Sequence, residues 1–307
     1  MPAGTRNYIE NTENRSSVVM GAPVTIDYPA LPGIIHSEDT VLTVAGVKAT
    51  RAQVIAAISK LSMLMNGGTH SDYLIDDLLM LNDFYGHTFV DGFLTQFFSQ
   101  DFRENAFDAE VHAFVPGSVR KPRLRIHTKA AGVVDEIRHF LEVEGVSEFG
   151  RNIISSKPAE AVRPLIRHDI ETITIKNTGD VATNVKFEAT PEFIRSLNFQ
   201  GANITRIDIL ADNVVKYSYD SLLRLNEKLK QSRAVAVPQA DTWHINFELL
   251  GGSVRGMYQP EFSRNNPQTG VPEFFARDNI SFDIYASDNT QVRLLSELYD
   301  TPAPRQA

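Results

Sequence analysis

The sequence predicts an all-β chain of two tandem β-barrel domains, each interrupted by one short helix. Three observations carry this: chain length, short runs of alternating apolar and polar residues, and an internal repeat of long period. At 307 residues the chain exceeds one comfortable core and suits two domains of roughly 100–150 residues each. Hydrophobic residues at 42% and charged residues at 22% lie near the globular average, which argues against wholesale disorder or a fibrous repeat.

Residues 1–30 are rich in Asn, Ser, Thr and Arg with few apolar anchors, so they read as a flexible N-terminal arm. A first domain is expected over 31–140. A connector follows over 141–163, where Gly145, Gly150, Ser155, Ser156 and Pro158 gather just before Pro164. The second domain is expected over 164–301, and a C-terminal tail over 302–307 with Pro302 and Pro304.

Four blocks suggest duplication. Pro32–Val41 lines up with Pro164–Ile173, an offset of 164 − 32 = 132, which places His36 opposite His168. Ile58–Gly67 lines up with Ile204–Asn213 at 204 − 58 = 146, and Leu78–Asp83 with Leu222–Glu227 at 222 − 78 = 144. Gly92–Phe97 lines up with Thr242–Phe247 at 242 − 92 = 150. On this alignment the second half carries an insert, Val185–Ala202, of 146 − 132 = 14 residues.

Within each half the first block alternates, Val41 and Thr43 against Leu42 and Val44, then Ile173 and Ile175 against Thr172 and Thr174. The second block puts Leu61, Met63 and Met65 on one strand face, with Ile207, Ile209 and Ala211 as their counterparts. Each then meets a turn signal, Asn66-Gly67-Gly68 or Asp212-Asn213. The third block switches period: Leu78, Leu81 and Tyr85, and Leu222, Leu225 and Leu229, recur on one helical face. Arg123–His127 and Ile280–Tyr285 alternate again as late strands. Many short strands around one helix indicate sandwich or barrel topology, and a jelly roll present twice is the simplest assembly.

A formal net charge of −8 and a pI near 5.5 disfavour direct nucleic-acid packaging, because that affinity comes from cations displacing condensed counterions. No run approaches 18 apolar residues and the N-terminus lacks an apolar signal core, so neither a membrane span nor a secretory signal is expected. With no cysteine, disulfides, thiolate nucleophiles and cysteine–metal sites are excluded.

No catalytic, cofactor or metal site is expected. The histidines (36, 70, 87, 112, 127, 139, 168, 244) never form the His-x-His pair that a two-barrel metalloenzyme would need. Asp72, Asp76, Asp77 and Asp83 have the composition of a Ca²⁺ loop, but negative charge at a helix N-terminus accounts for them more simply. Trp243, Phe97, Phe98 and Phe247 read as core. Arg120-Lys121 and Lys228–Lys230 read as solvated faces, and Gly251-Gly252 as a turn. Nucleophile-elbow, phosphate-loop and dinucleotide motifs are missing from the chain.

The order of strand, Asx-Gly-type turn, LLxLN helix and aromatic strand resembles the double jelly-roll major capsid proteins of tailless, internal-membrane-containing icosahedral phages. These are the corticovirus type and related lipid-containing phages. The likeness rests on Thr172–Gly179, Ile204–Asn213, Tyr219–Leu229 and Trp243–Gly252, with weaker first-half copies, and spans about residues 32–290. It implies a homotrimeric, pseudo-hexagonal capsomer in a virion shell, made in the host cytoplasm. Its implied partners are copies of itself, vertex (penton) and minor capsid proteins, and the internal viral membrane through the N-terminal arm. A glycan-directed double-jelly-roll hydrolase and a carbohydrate-binding protein are the alternatives.

Overall fold

The computed structural model describes residues 6–12, 17–29, 33–99, 113–145, 165–176, 182–186, 193–211, 213–232, 237–247, 263–265, 272–274 and 280–300. It divides into two compact units, one ending at Arg167 and the other running from His168 to Asp300.

The first unit is built from β1 (Arg6–Glu10), β2 (Pro23–Asp27), β3 (Gly33–Val44), β4 (Val47–Lys48), α1 (Arg51–Ala57), β5 (Ile58–Met65), β6 (Gly68–Leu74), α2 (Ile75–Phe84), β7 (Phe93–Phe97), β8 (Arg123–Thr128) and β9 (Glu136–Gly145). One antiparallel sheet runs β1-β9-β3 with β4 and β7 along the far edge of β3; the other runs β2-β8-β5-β6. Leu42 and Ile35 of the first sheet share a core with Val24, Ile26, Leu61, Met63, Leu124 and Ile126 of the second. Each such side chain, taken fully out of water, contributes about 1.5–3 kcal/mol.

The second unit is entered along β10 (Leu165–Ile175), whose first three residues belong to the first unit, and continues with β11 (Thr183–Lys186), β12 (Phe193–Gln200), β13 (Ile204–Ala211), β14 (Val214–Tyr219), α3 (Leu222–Ser232), β15 (Thr242–Asn246), β16 (Ser263–Asn265), β17 (Pro272–Phe274), β18 (Ile280–Ala286) and β19 (Thr290–Asp300). Its sheets run β10-β19-β12-β15 and β11-β18-β13-β14, with β16 and β17 as a separate ribbon. Phe199 of one sheet and Phe282 of the other meet with ring centroids 5.7 Å apart in its interior.

Counting only the eight principal strands of each unit, the sheet orders are 1-8-3-6 and 2-7-4-5 in both, which is jelly-roll topology repeated. The helix falls between the fifth and sixth strands each time. Leu78, Leu81 and Tyr85 are buried along α2, and Leu225 and Leu229 along α3, the faces their spacing predicts. The hairpin at Asn66-Gly67 closes with φ of 55° and 88°, the left-handed pair that a two-residue turn between twisted strands requires.

The repeat differs from the sequence alignment in two places. By sheet position β3 corresponds to β12, not β10; the match at offset 132 paired the third strand of one roll with the first strand of the other. Both third strands carry a bulge, between Ile35 and Ser37 on β3 and between Ile194 and Ser196 on β12. Ile35-His36-Ser37-Glu38-Asp39 therefore corresponds to Ile194-Arg195-Ser196-Leu197-Asn198, at 194 − 35 = 159. His36 matches Arg195 rather than His168. Val185–Ala202 is accordingly no insert, since it contains β12; the extra 159 − 146 = 13 residues lie in the first unit, as β4 and α1.

The second difference is a one-residue slip. Ser37 pairs with Phe97 and Ser196 with Asn246, so β7 and β15 match at 246 − 97 = 149 and not 150. In a strand that slip exchanges the two faces. The corrected match pairs buried Leu94 with buried Trp243.

The N-terminal arm expectation also changes. Arg6–Glu10 pairs along β9, from Arg6 opposite Glu144 to Glu10 opposite Phe140, and Pro23–Asp27 pairs with β8. The segment 1–30 thus supplies two of the eight strands of the first roll; its charged Arg6 and Glu10 are exposed, while its polar Asn11 is buried. The first roll likewise continues past 140 to Gly145. Residues 146–163 of the expected connector, and the 302–307 tail, lie outside the described residues.

Candidate functional site

The bulge in each third strand sits at the centre of a charged cluster. In the first roll Ser37 Oγ donates to Glu142 Oε2 at 3.0 Å, and His36 Nε2 lies 3.0 Å from Glu144 Oε2. Arg6 of β1 approaches both carboxylates, at 3.7 Å from Glu142 and 3.9 Å from Glu144. In the second roll Glu297 of β19 accepts from Arg195 Nη1 at 2.9 Å and from Ser196 Oγ, while His168 of β10 lies 3.6 Å away. The pattern repeats with Arg and His exchanged: a base at the bulge, a base on the first strand, and a carboxylate on the eighth strand opposite the serine.

Burial decides the electrostatics. Glu297 is 2% exposed; desolvation opposes its charge, but Arg195, His168 and Ser196 outweigh that and hold its carboxyl at a pKa of about 2. His36 is lowered by desolvation and by Arg6, against the pull of Glu144. These clusters clamp the bulge, where the ladder is broken and backbone groups need other partners.

The equivalent of the Asp39–Thr95 pair, 2.5 Å from Thr95 Oγ1 to Asp39 Oδ1, is the pair Asn198–His244 in the second roll. There His244 Nδ1 lies 2.7 Å from Asn198 Oδ1, and His244 Nε2 accepts from the backbone N–H of Gln239 at 3.3 Å. Buried His244 is pushed down to a pKa of about 3 by desolvation.

Within the first roll a second buried network fixes the N-terminal segment. Tyr28 Oη donates to Glu38 Oε2 at 2.6 Å, and His139 Nε2 lies 3.0 Å from the same oxygen. Asn11 Nδ2 meets His139 Nδ1 at 3.0 Å and Asp27 O at 2.9 Å. The two Asn11 contacts require Nδ1 of His139 to accept, leaving Nε2–H to donate to Glu38.

The four aspartates do not converge. Asp72 takes Lys60 and Ser62, Asp83 takes Arg51 through two hydrogen bonds of 3.0 and 2.6 Å, and Asp76 and Asp77 occupy the first turn of α2. Among the described residues no three His, Asp or Glu side chains are grouped to hold a metal ion. Trp243, Phe98 and Phe247 are buried. Phe97 instead stacks on His87 at 3.8 Å beside a cavity of about 260 Å³ that Asp39, Asn82 and Asp83 also line. Lys228 and Lys230 are exposed, and Gly251-Gly252 and His112 lie outside the described residues.

Sequence reasoning missed both bulge clusters. The signal was the short repeat Ile-base-Ser-x-Asx, IHSED and IRSLN, hidden by the stronger-looking Pro-x-Ile-x-His match at offset 132.

Two tandem jelly rolls in one chain constitute the double jelly-roll fold, shared with several viral major capsid proteins. No protein-family model and no curated protein matches the sequence. Among solved structures, the major capsid protein P2 of bacteriophage PM2 superposes with a TM-score of 0.72 at 12% identity, covering 97% of this chain and 98% of that one. The major capsid protein of Sulfolobus turreted icosahedral virus gives 0.61 at 10% identity over 97% and 98%. That of Faustovirus gives 0.58 at 7% over 97% and 90%. At such identities the likeness defines the fold.

Proposed function

We propose that this chain is the major capsid protein of an icosahedral virus, a structural and not a catalytic protein, whose work is done by its interfaces. The reading is carried by one observation: the double-roll fold is matched across both rolls, 97% of this chain on 98% of the PM2 coat protein. The sequence resemblance to coat proteins of membrane-containing phages points the same way.

In this reading three copies form a pseudo-hexagonal capsomer of six rolls. Neighbouring capsomers, vertex and minor capsid proteins are its partners, and an internal membrane lies beneath the shell. Multi-angle light scattering of the purified protein should give three times the 34.2 kDa chain mass, and electron microscopy should show hexagonal tiles. A monomer unchanged by concentration would overturn the reading.

A further inference from the structure

The turn between β5 and β6 closes over a cavity of about 300 Å³ lined by Asn66, Gly67, Arg120, Lys121, Arg123 and Arg125. The rim is locked by a reciprocal pair: Asn66 N–H donates to Arg120 O, and Arg120 N–H to Asn66 Oδ1, each at 2.8 Å. Among the described residues, only Arg123 of the four cations has a carboxylate partner, Asp27, at 2.7 Å. Among the described residues Arg120, Lys121 and Arg125 meet no carboxylate within ion-pair distance, and the buried Nε of Arg125 meets no acceptor. Lys121 is held at φ 47°, a conformation a long side chain rarely adopts.

The second roll acts as an internal control. Register equates Leu64, opposite Arg123, with Leu210, opposite Ser281. Ser62, opposite Arg125, is likewise equated with Asp208, opposite Asp283. The same fold is therefore built with serine and aspartate where the first roll has two arginines, so folding a jelly roll does not require the cations. A chain with net charge −8 that gathers around one concavity three cations without a carboxylate among the described residues presents an anion-attracting surface there.

We propose that this cavity is a phosphate-binding site, accepting a phosphate group either free or on an anionic lipid headgroup. Guanidinium forks offer paired donors to a tetrahedral oxyanion, and the ammonium of Lys121 adds a point charge at the rim. The site stands on its own geometry and does not depend on the capsid reading.

Titration calorimetry of the full-length protein with inorganic phosphate at low ionic strength, and flotation with phosphatidylglycerol or phosphatidylcholine vesicles, test it. Saturable phosphate binding is expected, weakened about tenfold or more in Arg125→Gln and in Lys121→Asn, as loss of a charge-assisted hydrogen bond predicts. The second variant keeps the left-handed turn, which Asn tolerates, so at least one substitution should leave melting unchanged. Flotation with phosphatidylglycerol alone, competed by phosphate, would assign the group to lipid; phosphate binding without flotation would assign it to the free ion. Absence of saturable phosphate binding, binding by both variants as tight as by the unaltered protein, or tighter binding of a DNA duplex than of phosphate would overturn the proposal.

Discussion

His244 shows how one buried side chain makes a whole unit sensitive to acid. Its folded pKa of about 3 lies below its unfolded value of about 6.5, so the unfolded chain binds the extra proton and stability falls as pH drops below 6.5, by about 1.4 kcal/mol per pH unit. Protonation would also displace the Gln239 N–H from Nε2. Glu297, held at about 2, adds a second loss: its stabilisation is present above the unfolded value near 4.5 and disappears as pH falls from there towards 2. The fluorescence melting temperature read at Trp243, the chain's single tryptophan, should be flat above pH 7 and decline from about pH 6.5, and His244→Gln should remove the decline between 6.5 and 5. A second residue-scale expectation concerns the bulge clamp. Glu297→Gln should cost about 3–5 kcal/mol because it removes the buried carboxylate that meets Arg195, itself 3% exposed, and breaking a buried ion pair from one side is costly. The double variant Arg195→Met, Glu297→Met should cost less than the two single changes summed, measured by urea unfolding.

At the scale of elements, the two helices test the repeat. Leu225 is 1% exposed and Leu81 4%, so Leu225→Asp or Leu81→Asp buries a carboxylate without a partner, at several kcal/mol. Insoluble or unfolded protein is expected from each, and circular dichroism showing a normal melt would refute the equivalence of α2 and α3. The helices and the Ile58–Met65 and Ile204–Ala211 strands were legible because side-chain period and a turn residue together leave little choice of register. The third strands were not. Offset 132 matched proline, aliphatic and histidine types between strands that occupy different sheet positions, and types alone do not report which neighbour a strand takes. What distinguishes β3 from β1 is its bulge and its partners on both sides, and these are set by residues such as Glu142 and Phe97, distant in sequence. The four aspartates were legible in composition and, at Asp76 and Asp77, in their helix-terminal place. The clamp chemistry of His36, Arg195 and Glu297 was not, because it depends on the ninth and nineteenth strands arriving beside the bulge.

For the whole molecule, the N-terminal segment decides whether the first roll is complete. A polar, nearly charge-balanced stretch reads as an arm when only its composition is considered, yet its five residues Arg6–Glu10 extend the sheet along β9. Arg138 binds Glu10 through two hydrogen bonds of 2.8 and 2.5 Å. Tyr8 stacks on Phe140 at 5.2 Å and donates to Asp39 at 2.6 Å, and Asn11 completes the buried Glu38–His139 network. Deleting residues 2–22 would therefore do more than remove a tether: it would bare the backbone edge of β9, a template for pairing with another chain, and leave His139 Nδ1 without its Asn11 partner, at about 1–3 kcal/mol. Amide exchange over Glu136–Gly145 should accelerate and the truncated protein should form concentration-dependent aggregates by light scattering, while Asn11→Ala alone, which leaves β1 paired, should cost about 1–3 kcal/mol without the exchange change or the aggregation. Unaltered exchange in the truncated protein, with normal oligomers, would return the segment to the status of a dispensable arm.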